Sequence, residues 1–211
     1  MPGTTVGFYG KLPARGDFVR AGLPRDFTDP WDDWLQGVIA GSQSLMGEAW
    51  LPAFLEAPVW RFTLPRGMCG TQAVLGLMLP SVDRAGRYFP LTFAALSACG
   101  IAKTSGDAWL DACEAAGRIA LEQDTPPQVI ANTLGSTELP DTEVGLAEAT
   151  WWSEGSIRVG PACLTLGCLP DAVTYAAMLG AEIKGTEVAT DTSAPGEGEC
   201  QPGETKWESP S

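Results

Sequence analysis

The sequence predicts an α+β domain, a mainly antiparallel sheet with helices packed on one or both faces. Three observations carry this. Strand-like segments succeed one another across connections too short for a parallel crossover, which needs a dozen residues or more. Amphipathic helical stretches interrupt them in blocks instead of alternating with them one for one. With 45% hydrophobic residues and eight tryptophans in 211 residues, there is enough apolar surface to close a core.

Val6 to Leu12 reads as the opening strand, ended by Pro13 and Gly16. A helix follows from Asp29-Pro30, where Asp29 suits the cap, Pro30 the first helical position, and Asp32 and Asp33 the positive end of the helix dipole. Trp31, Trp34, Leu35, Val38, Ile39, Ser42, Leu45 and Met46 then recur at three- and four-residue spacing, a stripe assigned to the core. A shorter amphipathic piece spans Glu48 to Glu56 and is closed by Pro58. Strands are expected over Val59 to Leu64, Ala73 to Leu79 and Leu91 to Ala98. Ser105 to Asp124 reads as a helix with Trp109 and Cys113 on its core side, broken by Pro126-Pro127 before another short helical piece. Ala149 to Glu154 and Ala162 to Leu169 read as a hairpin, and Pro170-Asp171 opens a last helix reaching about Leu179. From Gly185 the composition turns to Gly, Pro, Ser, Thr and Glu, so residues 1–184 are assigned to one globular domain and 185–211 to an acidic flexible tail.

Composition narrows the chemistry. There is no histidine, which removes Ser-His-Asp and Cys-His sites, imidazole proton shuttles and His-ligated zinc. The net charge of -13 lies entirely in the second half: residues 1–100 hold eight basic and eight acidic side chains, residues 101–211 five and eighteen. Such a surface repels phosphate backbones, so no nucleic-acid partner is expected. The cysteines, at 69, 99, 113, 163, 168 and 200, form no C-x-x-C pair and read as small buried hydrophobes. No apolar segment approaches the ~20 residues of a membrane span, and no direct membrane insertion is expected. With unpatterned cysteines, this points to a cytoplasmic protein.

Two loops stand out, Gly10 to Phe18 and Pro80 to Pro90, each carrying arginines and acids on a glycine-proline framework. Lys11, Arg15 and Asp17 in the first, with Ser81, Asp83, Arg84, Arg87 and Tyr88 in the second, suit a partner-binding surface, because exposed arginine grips carboxylate or phosphate in paired hydrogen bonds. The competing reading ties the loops to each other, Asp83 or Asp17 pairing with an arginine opposite. Arg20 and Arg25 add to the same basic concentration. Trp151 and Trp152, adjacent in a strand, must point to opposite faces, so one is core and the other a candidate exposed anchor. No catalytic residue, metal or cofactor is assigned. Ser81 has neither a histidine base nor a lysine three residues on, and a Mg²⁺ site on Asp17 and Asp83 is chemically allowed but indicated by nothing beyond their identity.

The strings Gly7-Phe8-Tyr9-Gly10-Lys11-Leu12-Pro13-Ala14-Arg15-Gly16-Asp17-Phe18, Pro30-Trp31-Asp32-Asp33-Trp34-Leu35, Ala57-Pro58-Val59-Trp60-Arg61-Phe62 and Pro80-Ser81-Val82-Asp83-Arg84-Ala85-Gly86-Arg87-Tyr88-Phe89-Pro90-Leu91, in this order, resemble the TagF (ImpM) family of type VI secretion accessory proteins. Trp151-Trp152-Ser153-Glu154-Gly155 and Leu169-Pro170-Asp171 resemble the later part of that domain. The resemblance implies a cytoplasmic, non-enzymatic, post-translational repressor that binds the forkhead-associated scaffold of the secretion system, in a stand-alone form without the phosphatase domain some relatives carry. The alternatives are a carboxylate- or metal-dependent phosphate hydrolase and a structural accessory component of the apparatus.

Overall fold

A computed structural model describes residues 4–98, 107–123, 125–136 and 147–182. Seven antiparallel strands form one sheet: β1 (Thr5–Gly10), β2 (Val19–Ala21), β3 (Trp60–Leu64), β4 (Ala73–Leu79), β5 (Leu91–Ser97), β6 (Ala149–Ser153) and β7 (Ala162–Leu166), in the order β2-β1-β5-β4-β3-β6-β7. One face carries α1 (Arg25–Met46), α2 (Trp50–Leu55) and α5 (Ala172–Met178). The other carries α3 (Asp107–Glu122) and α4 (Pro127–Ser136). The α+β expectation holds, with helices on both faces.

The side-chain period of two sorts the strands between two cores. On the α1 face Phe62, Val74, Met78, Ala94 and Trp151 pack with Trp31, Leu35 and Tyr175. On the other, Phe8, Leu75, Leu77, Phe93 and Ala95 pack with Trp109, Leu110, Cys113 and Leu134. Helices on both faces explain why β4 and β5 are buried at every position and read as continuous apolar runs in the sequence. Indole N–H groups tie helices to their neighbours. Trp31 Nε1 donates to Thr92 Oγ1 at 3.0 Å, Trp34 Nε1 to the Pro170 carbonyl at 2.7 Å, and Trp60 Nε1 to the Met178 carbonyl at 3.0 Å. On the opposite face Arg61 reaches out of β3 to Asp111 at 2.7 Å and Glu114 at 3.0 Å, fixing α3 over the sheet.

Several expectations need correction. Helix α1 begins at Arg25, a turn before Asp29-Pro30, with Pro24 at its cap in an extended conformation. Pro30 is tolerated inside because its missing N–H affects only the carbonyl of Asp26 in the first turn. That carbonyl lies against Gly70, 2.7 Å from where a Cβ would stand. The Asp26 carboxylate accepts from Thr71 N at 2.9 Å and Thr71 Oγ1 at 2.8 Å, which holds its pKa below the usual value. Leu45, assigned to the apolar stripe, is exposed, and Met46 is only half-buried against the core. The opening strand stops at Gly10, and the edge strand β2 was not anticipated. Cys69 and Cys113 are buried as expected, the Cys69 thiol pushed up to about 12 by burial and by the charge of Asp26, but Cys163 and Cys168 are half-exposed. Asp171 caps α5 as read, its side chain accepting from Thr174 N at 2.7 Å. Cys99, Cys200, the start of the helix placed at Ser105 and the segment 185–211 lie outside the described residues.

Gly76, in the middle of β4, has no room for a side chain: a Cβ there would stand 2.5 Å from the Phe93 carbonyl oxygen and 2.7 Å from the ring of Phe62. Gly76→Ala should therefore cost about 2–3 kcal/mol by forcing the two strands apart. Chemical denaturation measures this; a loss below about 0.5 kcal/mol would show the strand spacing to be looser than described.

Candidate functional site

The antiparallel pairing of β1 with β5 and of β4 with β5 brings the loop after β1 and the loop between β4 and β5 to one end of the sheet. There they form a single structure around Asp83. The second loop folds back on itself: Asp83 N donates to the Arg87 carbonyl at 3.0 Å, Gly86 N to the Asp83 carbonyl at 2.9 Å, and Val82 and Tyr88 form an antiparallel bridge. Gly86 takes a φ of 81°, a left-handed turn position that favours glycine.

The turn aims the Asp83 carboxylate inward, where its side chain is fully buried and both oxygens are occupied. Oδ1 accepts from Ala85 N and Arg87 N, each at 2.9 Å. Oδ2 accepts from Lys11 Nζ and Arg87 Nε, each at 2.7 Å. Burial opposes the charge, yet the bonds from Lys11 and Arg87 outweigh it and hold the carboxyl well below the usual carboxylate range. Two further contacts join the loops. Ser81 Oγ donates to the Lys11 carbonyl at 2.6 Å, and Arg84 N to the Arg15 carbonyl at 2.8 Å. Arg87 Nη2 also reaches the Gly16 carbonyl.

Aromatic rings close the side of this hub. Lys11 Nζ lies 4.8 Å from the centroid of Phe18, a cation–π contact. Phe18 stacks on Tyr9 at 5.3 Å and meets Phe89 edge-on at 4.8 Å. Tyr9 in turn donates its hydroxyl to Asp32 Oδ1 at 2.7 Å, connecting the site to α1. Burial and then that bond raise the phenol pKa.

The residues anticipated from the sequence therefore divide. Lys11, Ser81 and Asp83 come together, but they are buried and face each other beneath the surface of the two loops. An ion pair crossing between the loops is Lys11–Asp83, with lysine where the sequence reading looked for an arginine. Asp17, Arg84 and Arg87 are exposed, as are Arg20 and Arg25, while Arg15 is half-buried. Tyr88 is half-buried, its ring edge-on to Trp50 and Phe54 at 6.0 Å from each, which joins the second loop to α2. Trp151 and Trp152 lie away from the loops. Trp151 is fully buried beside Trp31, Trp34 and Phe62, and Trp152 packs half-buried against the α3-face core, so neither is an exposed anchor. Each face of the sheet at β6 meets apolar neighbours, which the dipeptide alone did not reveal.

Phe18 is the residue that sequence reading passed over. It remains 43% exposed despite three ring and cation contacts. The available signal was an aromatic residue closing a loop rich in glycine, proline and charge. A cation bound at Asp83 would have to displace Lys11 and Arg87 from the lone pairs they already occupy, and among the described residues no three acidic or cysteine side chains stand together as ligands.

Comparison with known proteins places the chain in a family and beside a solved structure. Residues 7–136 match the family described as TagF N-terminal domain, Type VI secretion system-associated. The crystal structure of PA0076 from Pseudomonas aeruginosa PAO1 is similar over 90% of this chain and 100% of that one, at 32% sequence identity and a TM-score of 0.75. No curated protein matches.

Removing one partner of a buried pair leaves the other charge uncompensated. Lys11→Met should lower Tm by on the order of 10 °C at neutral pH. Because the folded pKa of Asp83 is depressed, its contribution is fully present above the unfolded value of about 4 and is lost as pH falls through the folded one. Melting curves taken from neutral to acid pH should fall more steeply for the parent protein than for Asp83→Asn; parallel curves would remove Asp83 from this role.

Proposed function

Because the chain belongs to the TagF N-terminal family of type VI secretion system-associated proteins, we propose that it is a cytoplasmic repressor of that apparatus. It acts after translation by binding the forkhead-associated scaffold protein, and it performs no chemistry of its own. The observation that supports a binding role is the two-loop face: a charged surface stiffened by a buried, fully hydrogen-bonded carboxylate, the kind of preorganised support that recognition requires. The same bonding speaks against hydrolysis. Asp83, the carboxylate a metal-dependent phosphate hydrolase would need beside Asp17, is already committed to Lys11 and Arg87.

Expression of the chain in a bacterium with an active type VI apparatus should lower effector secretion while leaving the amounts of apparatus proteins unchanged, and the scaffold should co-purify with it. Unchanged secretion, or repression without recovery of the scaffold, contradicts this reading. In a phosphate-ester assay with Mg²⁺ or Mn²⁺ the purified protein should show no turnover. Turnover that disappears in Asp17→Asn would replace the binding role with the hydrolase.

A further inference from the structure

The two-loop face has an unsaturated part. Arg87 spends Nε on Asp83 and Nη2 on the Gly16 carbonyl, and Nη1 has no partner among the described residues, on a side chain that is 61% exposed. Arg84 uses its backbone N–H to hold the first loop, but its side chain makes no hydrogen bond or ion pair among the described residues. Its Nη2 lies 3.8 Å from where a Cβ of Gly16 would stand, and Arg87 Nη2 reaches the carbonyl of the same glycine, so both arginines approach Gly16. Phe18, two residues after Gly16 and partly exposed, is held in place by Tyr9, Phe89 and Lys11.

The charge count shows what this arrangement lacks. Lys11 and Arg87 both meet the one carboxylate of Asp83, and the Arg84 side chain has no carboxylate partner among the described residues, so the outward side of this arrangement is cationic on a chain whose net charge is -13. Two adjacent like charges on an otherwise acidic protein repel each other and attract anions. Both guanidiniums are exposed and not sunk in a pocket, so they suit carboxylates spaced along a chain better than one fully desolvated group. A rigid, partly exposed aromatic ring next to arginine has the composition of an interface hot spot.

We infer that Phe18, Arg84 and Arg87 form the docking site for an acidic segment of a partner protein, which lays an apolar side chain on the Phe18 ring and its carboxylates on the two arginines. This rests on the reading that the two-loop face binds protein, and it supplies the chemistry of what is bound. Phe18, Arg84 and Arg87 are the contact residues; Asp83 and Lys11 position them.

The test uses the full chain and a fluorescein-labelled peptide, Glu-Asp-Phe-Asp-Glu-Leu, followed by anisotropy. The parent protein should bind it at low salt, with affinity falling as ionic strength rises from about 50 to 200 mM. Arg84→Glu should weaken binding by about tenfold or more and Arg84→Gln by less, both with unchanged melting curves. Phe18→Ser should weaken binding without altering the salt dependence. Absence of binding to the parent protein, equal binding by Arg84→Glu, or binding confined to a phosphothreonine peptide of the same length would each overturn the inference. A protein that binds the acidic probe through Arg84 but fails to capture the scaffold leaves this site intact and removes only the proposed role.

Discussion

The buried carboxylate of Asp83 is the constraint around which the two-loop end of the sheet is organised. An ionised group removed from water is tolerated only when its lone pairs are filled, and one turn of loop supplies just part of what is needed. Its own backbone gives two N–H donors and Arg87 a third contact, but the fourth comes from Lys11, 72 residues away in the chain. Satisfying Asp83 therefore requires the two loops to meet. Once they do, Ser81, Arg84 and Arg87 add bonds that cross from one loop to the other. The result is a surface whose shape is fixed by interior electrostatics while its outward cations remain available.

The sheet makes this convergence possible, and the tryptophans orient the helices that hold the sheet. Trp31, Trp34 and Trp60 each place an aromatic body in the α1-face core and direct an N–H to a specific acceptor on another element, which fixes angle as well as contact. The chain of contacts continues to the site. Tyr9 leaves the end of β1 with its ring against Phe18 and its hydroxyl on Asp32 of α1, so displacement of the helix would be felt at the loop. Tyr88 makes a similar connection from the second loop to Trp50 and Phe54 of α2.

Much of this was legible in the sequence, for identifiable reasons. Strands β3, β4 and β5 were placed to within a residue or so because glycine, proline and charge bound their apolar runs. Contact between the loops was one of two alternatives read from their shared composition, but burial of Lys11 was not foreseen. Nothing local distinguishes a lysine pointing to solvent from one pointing at a carboxylate 72 residues away. The same limit applies to Pro30, whose accommodation depends on Gly70 and Thr71, and to Trp152, whose neighbours come from the far side of the sheet. Phe18 was hidden by its context. Its ring contacts, with Tyr9, Phe89 and Lys11, include partners that only the sheet brings near.

In the binding role proposed for this TagF-family protein, a face already formed before contact would lose less entropy than loops that order on binding. The central claim is that Asp83 locks both loops into one unit. Amide hydrogen exchange tests it most directly. The N–H groups of Ala85 and Arg87, which donate to Asp83, and of Arg84, which donates to the first loop, should be protected in the parent protein and should lose protection together in Lys11→Met. Exchange of these amides at the rate of an open loop in the parent protein, or loss at Ala85 and Arg87 with Arg84 unaffected, would contradict it.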